Sequence, residues 1–204
     1  MPKPPSYVAF DIETSGLNPK KDNITCIGWL SDETSSQFSE TWHNFNTLPE
    51  LCEETLLTNF FSFLNKTYRY QDDSITLLTY NGKFDLSFII EKSKKHKLEI
   101  PDILLDSYHI DLLHFSKKLV GRLISKDEAC RKFANIYIPY KNTGLFLARA
   151  YTHKKVTLKI HLDMLLHNSI DLVATRKYFD FLSSYPDFQK TYDSIPKSFS
   201  GEPL

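Results

Sequence analysis

Two acids, set two residues apart at the end of an apolar run, constrain this chain more than any other stretch. The run is Tyr7-Val8-Ala9-Phe10-Asp11-Ile12-Glu13. Its residues favour a buried β-strand, on which positions two apart share a face, so Asp11 and Glu13 are expected to stand side by side. Two bare carboxylates placed so repel each other and lose their hydration. A hard divalent cation such as Mg²⁺ or Mn²⁺ relieves both costs by taking oxygen ligands. The alternative is a strand end at which both acids meet water, and Asp-x-Glu alone does not choose between the two. Thr14-Ser15-Gly16 then makes a tight polar turn that a backbone or a phosphate can approach closely.

The rest of the chain narrows the class. A length of 204 residues suits one domain with a substantial core. The 25 basic and 25 acidic residues cancel, which argues against a strongly basic nucleic-acid coat protein while allowing local patches. Cys26, Cys52 and Cys130 are odd in number and widely spaced. They form neither a zinc-ligand pattern nor a disulfide framework, which favours a reducing compartment. Met1-Pro2-Lys3-Pro4-Pro5 is followed by no apolar segment long enough for a signal peptide or a membrane span. The expectation is a soluble, cytoplasmic protein with no membrane contact.

Residues 1–6 read as a flexible arm, 7–184 as one domain and 185–204 as a loosely held tail rich in Pro, Ser and Lys. After the first strand, Ile24–Leu30 and Gln37–Phe45 read as strands joined by a hairpin turn over 31–35. Leu51, Leu56, Leu57, Phe60, Phe61 and Leu64 recur at helical spacing within Glu50–Leu64. Ser74–Tyr80 returns to strand character and delivers the chain to Asn81-Gly82-Lys83-Phe84-Asp85, from which a helix runs to the basic stretch 92–97. Ile103–Asp111 is expected as the last strand, with a helix from near Leu112. Ser125–Ala134 opens on Ser-Lys-Asp-Glu, the form of a helix capping box, and Thr143–Tyr151 and Leu158–Leu182 are also helical. This order predicts an α/β architecture, a mixed five-stranded sheet flanked by helices.

Acids now fall at the ends of separate elements. Asp11 and Glu13 lie on the first strand, and Asp85 opens a helix after a later one. Asp171 lies in the long C-terminal helix four residues after His167, a spacing that puts both on one helical face. Two-metal phosphodiester hydrolysis uses such a set: four carboxylates hold two cations about 3.5–4 Å apart, and an imidazole, which titrates near neutrality, takes a proton from water. Each residue also has a plainer reading. Asp85 alone would be a helix N-cap, His167 a half-buried helix histidine, and Asp171 a solvated acid paired with Arg176 or Lys177. Their joint order and placement weigh against all three plain readings holding at once.

Phe10-Asp-Ile-Glu-Thr-Ser-Gly-Leu17, Tyr80-Asn-Gly-Lys-Phe-Asp85 and His167-Asn-Ser-Ile-Asp171 together resemble the three motifs of the DEDD (DnaQ-like) 3′–5′ exonucleases of the ribonuclease-H-like superfamily. The likeness spans roughly residues 7–182. Many DnaQ-type enzymes set the histidine five residues before the last aspartate, and another branch sets a tyrosine four before it. The His-Asn-x-x-Asp form here, with Ile110-Asp111-Leu112-Leu113 upstream, is most similar to the YprB-like subgroup. The resemblance implies a ribonuclease-H-like fold and a metal-dependent 3′–5′ exonuclease. Asp11, Glu13, Asp85 and Asp171 would be ligands to two Mg²⁺ or Mn²⁺ ions, and His167 the general base. Thr14, Ser15, Gly16, Leu17, Asn81, Lys83 and Phe84 would line the pocket for the terminal nucleotide. The implied partner is nucleic acid with single-stranded 3′ ends, and the products are nucleoside 5′-monophosphates. Asp111 would cap its helix or steady the site.

Lys92, Lys94, Lys95 and Lys97, and separately His153, Lys154 and Lys155, form basic clusters that phosphates can use. For the first, a solvated helix end that complements the helix dipole is the favoured reading. Tyr80, Phe84 and Tyr140 are candidates to stack on a terminal base, with core packing the default. Two rival functions share the fold: an inactive binding or scaffold protein, and a structure-specific endonuclease.

Overall fold

The computed structural model of the protein describes residues 7–31, 49–68, 75–138 and 157–186, with 144, 146, 147, 150 and 188. Alternation along β1 (Tyr7–Thr14) sets the layers. Val8, Phe10 and Ile12 face one apolar layer, whereas Tyr7 and Ala9 face the other. A strand covered on both faces reads as a continuous apolar run, and this one does so up to Asp11. β2 (Ile24–Ser31) is buried throughout and pairs antiparallel with β1. β3 (Thr76–Thr79) and β4 (Tyr108–Asp111) add in parallel, giving the order β2-β1-β3-β4.

Helices α1 (Pro49–Tyr68) and α2 (Gly82–His96) and the short α3 (Asp102–Leu105) cover the first face, where Leu56, Phe60, Leu64, Phe88 and Leu104 join the core. Helices α4 (Leu112–Val120), α5 (Lys126–Ala134) and α6 (Leu158–Ser183) cover the second, supplying Phe115, Cys130, Leu172 and Tyr178. Each fully buried Leu, Ile or Phe contributes about 1.5–3 kcal/mol by leaving water. The caps follow local chemistry: Ser125 Oγ accepts from Glu128 N at 3.2 Å and Thr157 Oγ1 from Ile160 N at 3.3 Å, each satisfying an otherwise orphaned N–H.

This is the mixed α/β sheet with flanking helices that the element order predicts, with four strands among the described residues. The further strand expected at 37–45, the turn after Ser31, the arm 1–6 and most of the tail lie outside those residues, as do Tyr140 and the 153–155 cluster. Within the tail, Phe188 is buried against Phe115 and Phe179. The strand expected over Ile103–Asp111 is shorter, because only Tyr108–Asp111 finds a partner in four-residue β3. Ahead of it, Pro101 O accepts from Leu104 N and Leu105 N, which turns the chain into α3. Cys26 and Cys130 are buried in the core. Among the described residues no helix is long and apolar enough to cross a membrane.

Lys92 departs from the solvated reading of the basic run. It is 2 % exposed, with its Nζ 3.9 Å from the fully buried Glu53 carboxylate. Glu53 also accepts from Lys95 Nζ at 2.8 Å, His96 Nε2 at 2.7 Å and Ile24 N at 2.7 Å. The stretch is therefore in part a pin joining α1, α2 and the start of β2, while Lys94, Lys95 and Lys97 stay exposed, Lys95 with its ammonium on Glu53.

Candidate active site

β1 outruns its parallel neighbour. Pairing with β3 ends at Ala9 opposite Leu78, while β1 continues to Thr14 against β2. Where β3 has ended, Ile12 N–H donates instead to Asp85 Oδ1 at 3.1 Å. Asp85 is buried in the first turn of α2, at the positive end of the helix dipole. The turn that delivers it is held from β4. Asn81 is left-handed (φ 69°), and Asn81 N and Gly82 N donate to Asp111 Oδ1 and Oδ2 at 2.8 and 3.1 Å. Asp111 Oδ1 also accepts from Leu113 N at 2.9 Å, capping α4. Asp111 thus does both of the things its position allowed: it caps a helix and steadies the Asp85 turn.

Asp11 and Glu13 share the Tyr7–Ala9 face, the one covered by α5 and α6. On α6 the positions 167, 168 and 171 lie on one stripe. Asn168 Nδ2 donates to Asp11 Oδ2 at 2.9 Å and to the Asp11 carbonyl at 3.1 Å. His167 Nε2 stands 3.7 Å from Glu13 Oε1, and its Nδ1 is buried without a hydrogen-bond partner among the described residues. Such close approach depends on Gly28, opposite Asp11 in β2, where a Cβ would run into Asn168 Oδ1. Gly144 similarly leaves room for the His167 ring, since a Cβ there would lie 3.2 Å from Nε2.

A residue read from the sequence only as part of a cap stands among these acids. Lys126, at the first position of α5, places Nζ 2.9 Å from Asp11 Oδ1 and 2.8 Å from Asp171 Oδ2. Asp171 therefore pairs with Lys126, not with Arg176 or Lys177; Arg176 lies over the Tyr7 ring and beside Asp180. No spacing signal marks Lys126, because it reaches the site from a helix whose position only the tertiary structure sets.

The electrostatics follow from crowding. Burial pushes the Asp85 and Glu13 carboxyls well above the ordinary range, and the negative charge of Asp11 pushes both further. Burial also raises Asp11, although the Lys126 ammonium opposes it. The flanking charges of Asp11 and Asp171 in turn hold Lys126 protonated against the cost of its own burial. Among the described residues, no three His, Cys, Asp or Glu side chains meet tightly enough to hold a metal ion, with the Lys126 ammonium standing between two of the acids. The donor set still suits a hard divalent cation: carboxylate oxygens, buried at Asp85 and partly buried at Asp11, Glu13 and Asp171, in excess over the positive charge that faces them.

Of the residues expected to line a nucleotide pocket, several are occupied within their own turn. Thr14 Oγ1 donates to Gly16 O at 2.6 Å, and Ser15 exchanges two 2.9 Å bonds with Asn23. Leu17 is 84 % exposed, and the Asn81 and Lys83 side chains also face solvent. Phe84 is half-buried with its ring 5.0 Å from Phe88. Tyr80 is buried and donates to Ile124 O at 2.9 Å, so it belongs to the core.

Comparisons with known proteins agree with this architecture. An RNase H superfamily model matches residues 8–183. Among solved structures, a family B DNA polymerase from the hyperthermophilic archaeon Pyrobaculum calidifontis is similar, with TM-score 0.66 and 14 % identity over 90 % of this chain. The chain spans 25 % of that polymerase. A structure described as the apo form of a nuclease is similar over 92 % of this chain and 78 % of its own, with TM-score 0.53 and 16 % identity. No curated protein sequence matches. With the family model covering the sheet, both helical layers and every acid described above, the chain belongs to the RNase H superfamily.

Proposed function

We propose that residues 7–184 form a metal-dependent 3′–5′ exonuclease of the DEDD (DnaQ-like) type, nearest the YprB-like subgroup. It acts in the cytoplasm on single-stranded 3′ ends of DNA or RNA and releases nucleoside 5′-monophosphates. The observation that carries this reading is the partly buried convergence of Asp11 and Asp171 on one ammonium, with Asp85 and Glu13 raised by burial first and by the charge of Asp11 next. Membership of a superfamily of nucleases, many of which use divalent ions, supports it.

Asp11, Glu13, Asp85 and Asp171 would hold two Mg²⁺ or Mn²⁺ ions. Bound there, the ions would supply Lewis-acid stabilisation of the attacking and leaving oxygens. His167 takes the proton of the attacking water, a role suited by a ring nitrogen at the edge of the acid cluster. Thr14, Ser15, Gly16, Leu17, Asn81, Lys83 and Phe84 flank the terminal nucleotide, with exposed Leu17 offering an apolar contact to its base.

The test is incubation of labelled linear single- and double-stranded DNA and RNA, and of circular single-stranded DNA, with Mg²⁺ or Mn²⁺. Wild type is expected to shorten linear strands from the 3′ end, leave circles intact, and lose activity in Asp171→Ala. Cutting of circles would instead assign an endonuclease, and no cutting at all a binding protein. His167→Ala should slow turnover by about 10²–10⁴-fold.

A further inference from the structure

Each oxygen of Asp11 is already engaged. Oδ2 accepts from Asn168, and Oδ1 accepts from Lys126, which also holds Asp171 Oδ2. A divalent ion needs carboxylate oxygens at about 2.0–2.2 Å for Mg²⁺, far closer than an ammonium holds them, so the ion and the ammonium compete for the same ground. The two present partners differ in freedom. Asn168 is buried, bonded at two points to Asp11, and packed against Gly28. Lys126 sits at the very start of its helix on a four-carbon stem with rotatable donors, and its side chain keeps 13 % exposure.

We propose that Lys126 is a tethered counter-ion that fills the cation position between Asp11 and Asp171, and that a divalent ion binds by displacing it. This rests on the metal-dependent reading above. The lysine then serves the metal-free protein, where it offsets the repulsion between two partly buried acids, and it sets a threshold concentration for metal loading.

The experiment has two arms. In the first, Mn²⁺ alone is titrated calorimetrically into wild type and Lys126→Met, at mildly alkaline pH so that the carboxyls stay ionised. Removing two charge-assisted hydrogen bonds that metal must otherwise break is expected to tighten Mn²⁺ binding about 10–100-fold. In the second, wild-type lysines are acetylated with and without Mn²⁺ and the sites read by mass spectrometry, which needs no folded variant. Lys126 is expected to be protected without metal and several-fold more reactive with it, while exposed Lys83 and Lys117 stay constant. Equal or weaker Mn²⁺ binding by Lys126→Met, or unchanged Lys126 labelling in metal-saturated protein, would overturn displacement and leave the metal-dependent reading standing. No Mn²⁺ binding by either protein would remove both.

Discussion

Asn168 grips Asp11 at two points, the carboxylate and the backbone carbonyl, from a helix that only a glycine in the neighbouring strand lets so close. The amide therefore fixes both the rotamer of the acid and the distance of α6 from the sheet. Asn168→Ala should cost about 1–3 kcal/mol of stability, since a buried acceptor loses its partner. Denaturant unfolding measures this. Nuclease turnover should fall in the same variant, beyond any loss of folded protein.

Gly28→Ala should destabilise by a comparable amount, roughly 1–3 kcal/mol, because the added methyl overpacks the β2–α6 contact. The two changes share one contact, so their effects should not add. A double-mutant cycle is expected to show Gly28→Ala costing less where Asn168 is already alanine. Simple additivity would mean that the methyl is accommodated elsewhere.

Glu13 is held well above its ordinary value by burial first and by Asp11 and Asp171 next. An acid raised in the folded state stabilises it fully only below the unfolded value, near 4.5, and that contribution is lost as pH rises through the folded value. Glu13→Gln should therefore stabilise the metal-free protein near neutral pH, by roughly 0.5–2 kcal/mol, at the expense of activity. The gain should shrink as pH falls toward 4.5. Melting curves over pH, without divalent ions, decide this.

Glu53 titrates in the opposite sense. Burial works to raise it, but the bonds from Lys95, His96 and Ile24 N–H outweigh burial and hold it below the ordinary range. Its contribution is present above the unfolded value and lost as pH falls through the folded one. Glu53→Ala leaves Lys92 buried beside no carboxylate, and stability should drop by about 3–5 kcal/mol. Far-UV circular dichroism during thermal unfolding checks the size of the loss.

Asp111→Ala should cost about 0.5–2 kcal/mol for the lost α4 cap alone. It should also loosen the Asn81–Gly82 turn, whose two N–H groups lose their acceptor. Because that turn carries Asp85, nuclease turnover should fall more than in a control that removes only a cap, Thr157→Ala at the start of α6. Equal losses in the two variants would confine Asp111 to capping.

What could be read from the chain was whatever repeats locally. The period of two in Tyr7–Glu13 gives the shared face of Asp11 and Glu13, and the helical period of residues 51–64 gives α1. Ser125 was legible as a cap because its partner is three residues away. Lys126 was not, since its two acids lie 115 and 45 residues distant. The same holds for Lys92, which looks like a surface lysine until α1 brings Glu53 over it. α3 differs from the strand expected there for another reason: the apolar run at Ile103 and Leu104 suits a strand, yet β3 is too short to offer it a partner.

The unequal lengths of β1 and β3 have a last consequence. Parallel pairing stops at Ala9, so the backbone from Phe10 to Thr14 is left open on one flank, and Asp85 takes up the N–H of Ile12 there. Were β3 two residues longer, a neighbouring carbonyl would claim that donor and push the acid out. The notch that admits Asp85 is thus a matter of where one strand halts, and the place of that acid hangs on an unfinished edge.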